Sequence, residues 1–182
     1  MSCEEKIKEN ESDLPSQIYY FENGNKNIEV WIQNGLIHRY NESKDLPGCI
    51  KYYKDGSKKD EKWYKNGELH RNNDLPSHVS YYENGSKKEE KWFNKERKFH
   101  RESNPAWIRY YENGNGNKMF EGWFQNGNHH RKNLNDFFSW VEYYENGNKK
   151  EEKWFKSDTD ALYCIKYYNI NGKILGERWV RD

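Results

Sequence analysis

Four His-Arg pairs recur along the chain: His38-Arg39, His70-Arg71, His100-Arg101 and His130-Arg131. Six glutamates recur with them: Glu29, Glu61, Glu90, Glu121, Glu152 and Glu177. Each stands two residues before a tryptophan, at Trp31, Trp63, Trp92, Trp123, Trp154 and Trp179. Imidazoles bind metals, paired carboxylates run acid–base chemistry, and aromatic rows stack bases or sugars. The spacing argues against all three. A metal needs its ligands about 2 Å away, whereas one His per two-stranded unit sets them roughly 10 Å apart. His129 and His130 are neighbours on a strand and point to opposite faces. A catalytic carboxylate pair needs two different environments to separate two pKa values, and a row of equivalent glutamates repeats one. Lys and Arg beside them, such as Lys62 with Arg71, are expected to form a cross-strand charge lattice. No catalytic residue, metal site or cofactor is therefore expected, and the chain is not expected to be an enzyme. Residues that occur once (His78, Trp107, Trp140, Cys164) make no recognisable constellation, and no phosphate loop or nucleophile elbow is present.

Composition sets the frame that must hold these rows. The 182 residues are 33% hydrophobic, 34% charged and 17% aromatic, too aromatic for a disordered chain and too polar for a thick aliphatic core. A thin structure fits, with rings packed on one another and on long charged stems. The net charge of +1, from 31 basic and 30 acidic residues, gives no pull toward nucleic acid, so nucleic-acid binding is not favoured. A membrane surface is a weaker candidate still open. Cys3, Cys49 and Cys164 lie too far apart for a metal motif or a disulfide framework. The opening "MSCEEKIKENESDLPS" has no apolar run. Residues 1–12 read as a poorly ordered lead segment, and an intracellular, cytoplasmic setting is expected.

The elements come from a repeat. A turn glycine falls at Gly24, Gly56, Gly85, Gly114, Gly147 and Gly172, after Asn or, once, Asp. The copies "YYENGSKKEEKWF" and "YYENGNKKEEKWF" are nearly identical. Asn-Gly between such runs signals a hairpin, because both turn residues take positive φ. A second Asn-Gly follows the tryptophan in "WIQNG", "WYKNG" and "WFQNG". Counting outward from Asn66-Gly67 sets Tyr64 opposite Leu69, Trp63 opposite His70 and Lys62 opposite Arg71. In the third unit the "NKER" loop is one residue longer, yet Trp92 can still meet His100 across a bulge. The long segment to the next aromatic pair reads as one strand interrupted by a loop at "DLP", since Pro has no N–H for a ladder. The fifth unit lacks this loop, so its strand should run unbroken. Residues 13–182 are thus about six β-hairpin repeats in an all-β, single-layer antiparallel meander, the last ones acting as a C-terminal cap.

The pattern "YYENG-KKEEKWYKNG-LHR" resembles the MORN (membrane occupation and recognition nexus) repeat in a variant form, with "WYKNGELH" at Trp63–His70 the nearest match. Glu stands where many members have Gly two before the aromatic, Arg replaces Gly after His, and "DLP" lengthens each unit. The long form is similar to repeat proteins encoded in multiple copies by giant DNA viruses, which implies a host-cell or virion location. The resemblance implies a scaffold for protein contacts. Alternatives are an immunity or antitoxin-like binder of one protein, and a binder of lipid surfaces or single-stranded nucleic acid. Self-association through the end strands is a further expectation, because an open sheet leaves two edges.

Overall fold

The computed structural model describes residues 14–39, 44–113, 115–130, 139–156 and 161–180. The lead segment 1–12, the turn glycine Gly114 and Arg131 of the fourth His-Arg pair lie outside the described residues.

Twelve strands form one antiparallel sheet in chain order. They are β1 (Gln17–Tyr20), β2 (Lys26–Val30), β5 (Cys49–Tyr52), β6 (Lys58–Lys62), β9 (His78–Tyr81) and β10 (Lys87–Lys91), then β11 (Trp107–Tyr110), β12 (Lys118–Gly122), β15 (Trp140–Tyr143), β16 (Lys149–Phe155), β17 (Leu162–Tyr168) and β18 (Ile174–Trp179). Three two-residue hairpins branch from it: β3 (Ile32–Gln33) with β4 (Leu36–Ile37), β7 (Tyr64–Lys65) with β8 (Glu68–Leu69), and β13 (Phe124–Gln125) with β14 (Asn128–His129). In the third unit a single Phe93–Phe99 bridge takes that place.

The tryptophan is where the two ladders part. The Trp63 carbonyl accepts the His70 amide at 3.0 Å, while its own amide donates to the Ser77 carbonyl at 3.0 Å. Residues 71–76 bulge out between those two bonds, as "NNDLP" suggests. Trp31, Trp92 and Trp123 repeat the arrangement with Gly48, Ala106 and Ser139. Small residues recur at this slot, opposite the largest ring of the unit. The counted register holds as far as Trp63, with Tyr64 paired to Leu69 and Lys65 to Glu68, but Lys62 does not face Arg71, because beyond Trp63 the strand pairs with Cys49 and His78 instead. The longer third loop holds too, with the His100 amide 3.1 Å from the Trp92 carbonyl. Where the loop is missing, β16 and β17 pair from Glu151–Tyr167 to Phe155–Leu162, with only a one-residue bulge after Trp154.

The two Asn-Gly turns differ. After the tryptophan both residues take positive φ, 50° at Asn66 and 78° at Gly67, as a tight two-residue turn requires. After the aromatic pair only the glycine does, for instance 82° at Gly85. There the Gly85 amide reaches back to the Tyr82 carbonyl and the Asn84 side chain accepts the Ser86 amide. That is a three-residue loop closed by a left-handed glycine, and it shifts the register before each turn. The expectation of two positive φ values at this turn is corrected accordingly.

Cross-strand pairs define a row through Glu29, Ile50, Glu61, Val79, Glu90, Ile108, Glu121, Val141 and Glu152, buried throughout except at the half-buried Glu90. Apolar residues alternate with glutamates, and Val141 is fully covered. Five tryptophans, Trp31 through Trp154, are buried beside them. A ring of that size buries on the order of 200 Å², or about 5 kcal/mol at about 25 cal/mol per Å², which outweighs any one hydrogen bond of the unit.

Candidate functional site

The glutamate row has one environment, repeated five times. One carboxylate oxygen takes the lysine three residues earlier: Lys58–Glu61 is 2.6 Å and Lys87–Glu90 is 2.7 Å. Lys26–Glu29 and Lys149–Glu152 are alike at 2.6 and 2.5 Å, and Lys118 pairs with Glu121 in the same way. The other oxygen accepts a phenol from the next unit. Tyr81 donates to Glu61 at 2.7 Å, Tyr110 to Glu90 at 2.5 Å and Tyr143 to Glu121 at 2.5 Å. Tyr52 does so to Glu29, and Tyr168 to Glu152. Burial alone would raise the Glu29 pKa, but the bonds from Lys26 and Tyr52 outweigh it and hold the carboxyl below its usual range. Burial, then the bond to the carboxylate, pushes Tyr52, Tyr81, Tyr110 and Tyr168 well above the ordinary phenol value. At Glu29 and Tyr52 an ionised acid and a firmly protonated phenol form a brace with no proton to exchange near neutral pH. The "KKEEK" run is therefore not wholly solvated: its second glutamate is drawn inward.

Arginine, rather than histidine, packs on the tryptophan. The guanidinium of Arg71 lies 3.6 Å from the Trp63 ring, Arg39 lies 3.7 Å from Trp31 and Arg101 lies 3.9 Å from Trp92. The same fork grips the preceding unit's loop. Arg71 holds Asp45 at 2.5–3.0 Å and Arg101 holds Asp74 at 2.8–3.0 Å. Each also donates to its own loop's proline carbonyl, at Pro76 and Pro105. The expected Lys62–Arg71 lattice is not formed, because Arg71 is taken by Trp63 and Asp45, and Lys62 pairs across strands with Cys49 and His78. The histidines serve the next unit's turn: His38 Nδ1 accepts the Asn66 amide at 3.1 Å, and His100 Nδ1 the Asn126 amide at 3.2 Å. His70 meets Asn72 at 3.0 Å.

Two further rungs join successive units. The second tyrosine of the pair donates forward to a backbone carbonyl: Tyr53 to Tyr81, Tyr82 to Tyr110, Tyr111 to Tyr143 and Tyr144 to Tyr168, at 2.7–2.9 Å. Turn asparagines do likewise, as Asn84 to Glu112 and Asn146 to Ile170. Among the described residues no group of three His, Cys, Asp or Glu is placed to hold a metal ion. Cys49 and Cys164 are free thiols whose pKa burial raises, which disfavours the nucleophilic thiolate.

The opposite face is where copies disagree. In the second, third and fifth copies it carries ion pairs: Asp60–His78 at 2.8 Å, Glu89–Lys91 at 2.6 Å and Glu151–Lys153 at 2.7 Å. In the fourth copy Phe120 and Gly122 replace the charges. Trp140 stacks on Phe120 at 4.5 Å and stands edge-on to Trp107 at 5.9 Å. Phe99 stacks on Trp107 at 5.2 Å, and His129 on Phe155 at 3.8 Å. A Cβ on Gly122 would come within 2.7 Å of Phe124 and 3.1 Å of Trp140. Trp107 and Trp140, which the sequence left unconnected, therefore meet as packed rings. The missed signal is positional: both stand seven residues before a turn glycine, the slot His78 fills in another unit.

The last copy departs differently. Glu177 and Trp179 are exposed on β18, the end strand of the sheet among the described residues, and Trp179 Nε1 donates to Glu177 at 3.2 Å. No helix among the described residues is long and apolar enough to cross a membrane. The chain matches no protein-family model, no curated protein and no solved structure.

Proposed function

We propose that this chain is a non-catalytic, MORN-like repeat scaffold that holds protein partners along its ribbon. One observation carries the reading: among the described residues, five of the six repeated glutamates, Arg71 and Arg101, and two of the repeated histidines are engaged in joining one unit to another. The glutamates meet Lys and Tyr, the arginines meet Trp and Asp, and two histidines cap turns. What varies most between copies is the face of the sheet opposite the glutamate row, which suits recognition rather than turnover. The intact chain should capture more than one protein from its native source, with cross-links to lysines in at least two separated units. A single stoichiometric partner whose toxicity the chain neutralises would replace this reading with an immunity role. Salt-sensitive retention on heparin or on anionic vesicles would replace it with nucleic-acid or lipid binding.

A further inference from the structure

We propose that copies of this chain associate head to tail, β18 of one copy pairing with β1 of the next, so that the repeat continues across the junction. The two strands close the two ends of the sheet. Of the large hydrophobic side chains left exposed among the described residues, only Leu36 and Leu75 lie away from the first and last hairpins. Tyr19, Tyr20, Ile174, Leu175 and Trp179 are each more than half exposed. Natural edges are usually blunted by charge, proline or a bulge, and the "QIYY" of β1 carries no charge.

The ends are complementary group by group. Tyr20 occupies the place of Tyr52 and Tyr81, two residues beyond the apolar member of the buried row, and among the described residues no carboxylate is bonded to its hydroxyl. Glu177 occupies the place of Glu29 and Glu61, and among the described residues no phenol is bonded to it. Lys166 is the backbone partner of Glu177 on the neighbouring strand, which puts a cation on the strand beside it. The amides of Trp31, Trp63, Trp92 and Trp123 each donate to the carbonyl of a small residue at the head of the following strand. Trp179 and Ser16 hold those two places at the junction. Val180 bonds inward to Tyr163, which turns the Trp179 and Glu177 backbone groups outward, toward the open edge. The internal register then sets Glu177 opposite Ile18, Arg178 opposite Gln17 and the Glu177 carboxylate against the Tyr20 hydroxyl of the second copy. Such a contact is heterologous and does not close on itself, so it grows linear assemblies.

This goes beyond the scaffold reading and is independent of it: a strictly monomeric chain would overturn this inference and leave heterologous partners untouched. The test is sedimentation velocity of the purified chain over a wide concentration range. The expected result is a ladder of species that lengthens with concentration. Tyr20→Phe should weaken association roughly 10- to 100-fold by removing a hydrogen bond to a charged group. Tyr20→Asp and Glu177→Lys alter exposed side chains and should fold normally, as near-ultraviolet circular dichroism would report. Each should be monomeric alone, and mixing them should restore assembly. A monomeric wild type, or self-association of either charge variant alone, would overturn the proposal, because the latter implies a head-to-head or tail-to-tail contact.

Discussion

At Glu121 a carboxylate only 7% exposed accepts both Lys118 and Tyr143, whereas Glu177, with the same sequence signature, lies open on the last strand. The difference is the presence of a following unit. Glu121→Ala should cost about 2–4 kcal/mol, since it strands the buried Tyr143 hydroxyl and a half-exposed lysine. Glu177→Ala, measured on dilute monomer, should stay within about 0.5 kcal/mol. Urea midpoints compare the two, and equal losses would mean that the brace contributes nothing. Arg101 offers a second contrast. Its planar fork stacks on Trp92 and holds both Asp74 oxygens, a geometry Lys cannot copy. Asp74 is partly solvated, which limits the ion-pair share, so Arg101→Lys should lose about 1–2 kcal/mol. A double-mutant cycle with Asp74→Asn should show coupling, and additive losses would assign the effect to stacking alone.

Element by element, Asn-Gly turns and a two-residue period were enough to place the hairpins and the Trp63–His70 register. The "DLP" excursion was legible because proline cannot serve a ladder, and the fifth unit supports the same logic, its β16–β17 pair passing the tryptophan with a single-residue bulge. Contacts between units were not legible. Glu61 and Tyr81 are 20 residues apart, and Arg71 and Asp45 are 26 apart. A count outward from one turn fixes the backbone partner of Trp63 but not which side chain folds over its ring. The fourth unit was hidden differently, since Gly122 matters for the side chain it lacks. Its φ is ordinary, so space alone decides, and Gly122→Ala should cost about 1–3 kcal/mol by displacing Phe124 and Trp140. Gly176→Ala, where an added Cβ meets nothing within 4 Å, is the control and should be near neutral. Thermal melts that rank the pair the other way would show that the aromatic cluster yields easily.

Over the whole molecule each rung reaches only the next unit, so stability is spread along one dimension and the same titration acts at several junctions together. Tyr52, Tyr81, Tyr110 and Tyr168 all have pKa values raised by burial and by their glutamates. A folded pKa above the unfolded one means that the folded state holds the proton more tightly. The contribution is complete below the ordinary phenol value of about 10 and is lost as pH climbs beyond it. On the acid side the sign reverses. Burial alone would raise the Asp60 carboxyl, but His78 and nearby lysines hold it low, and Lys26 and Tyr52 hold Glu29 low. Their contribution is complete above the usual carboxylate range and fades as pH falls below it. Of the 15 tyrosines in the chain, these four should therefore ionise only as the sheet comes apart. Phenolate absorbance followed together with far-ultraviolet circular dichroism should show a late absorbance step coincident with loss of β signal. Complete phenolate formation while the β signal is still intact would mean that the hydroxyl–carboxylate bonds do not bind the units together.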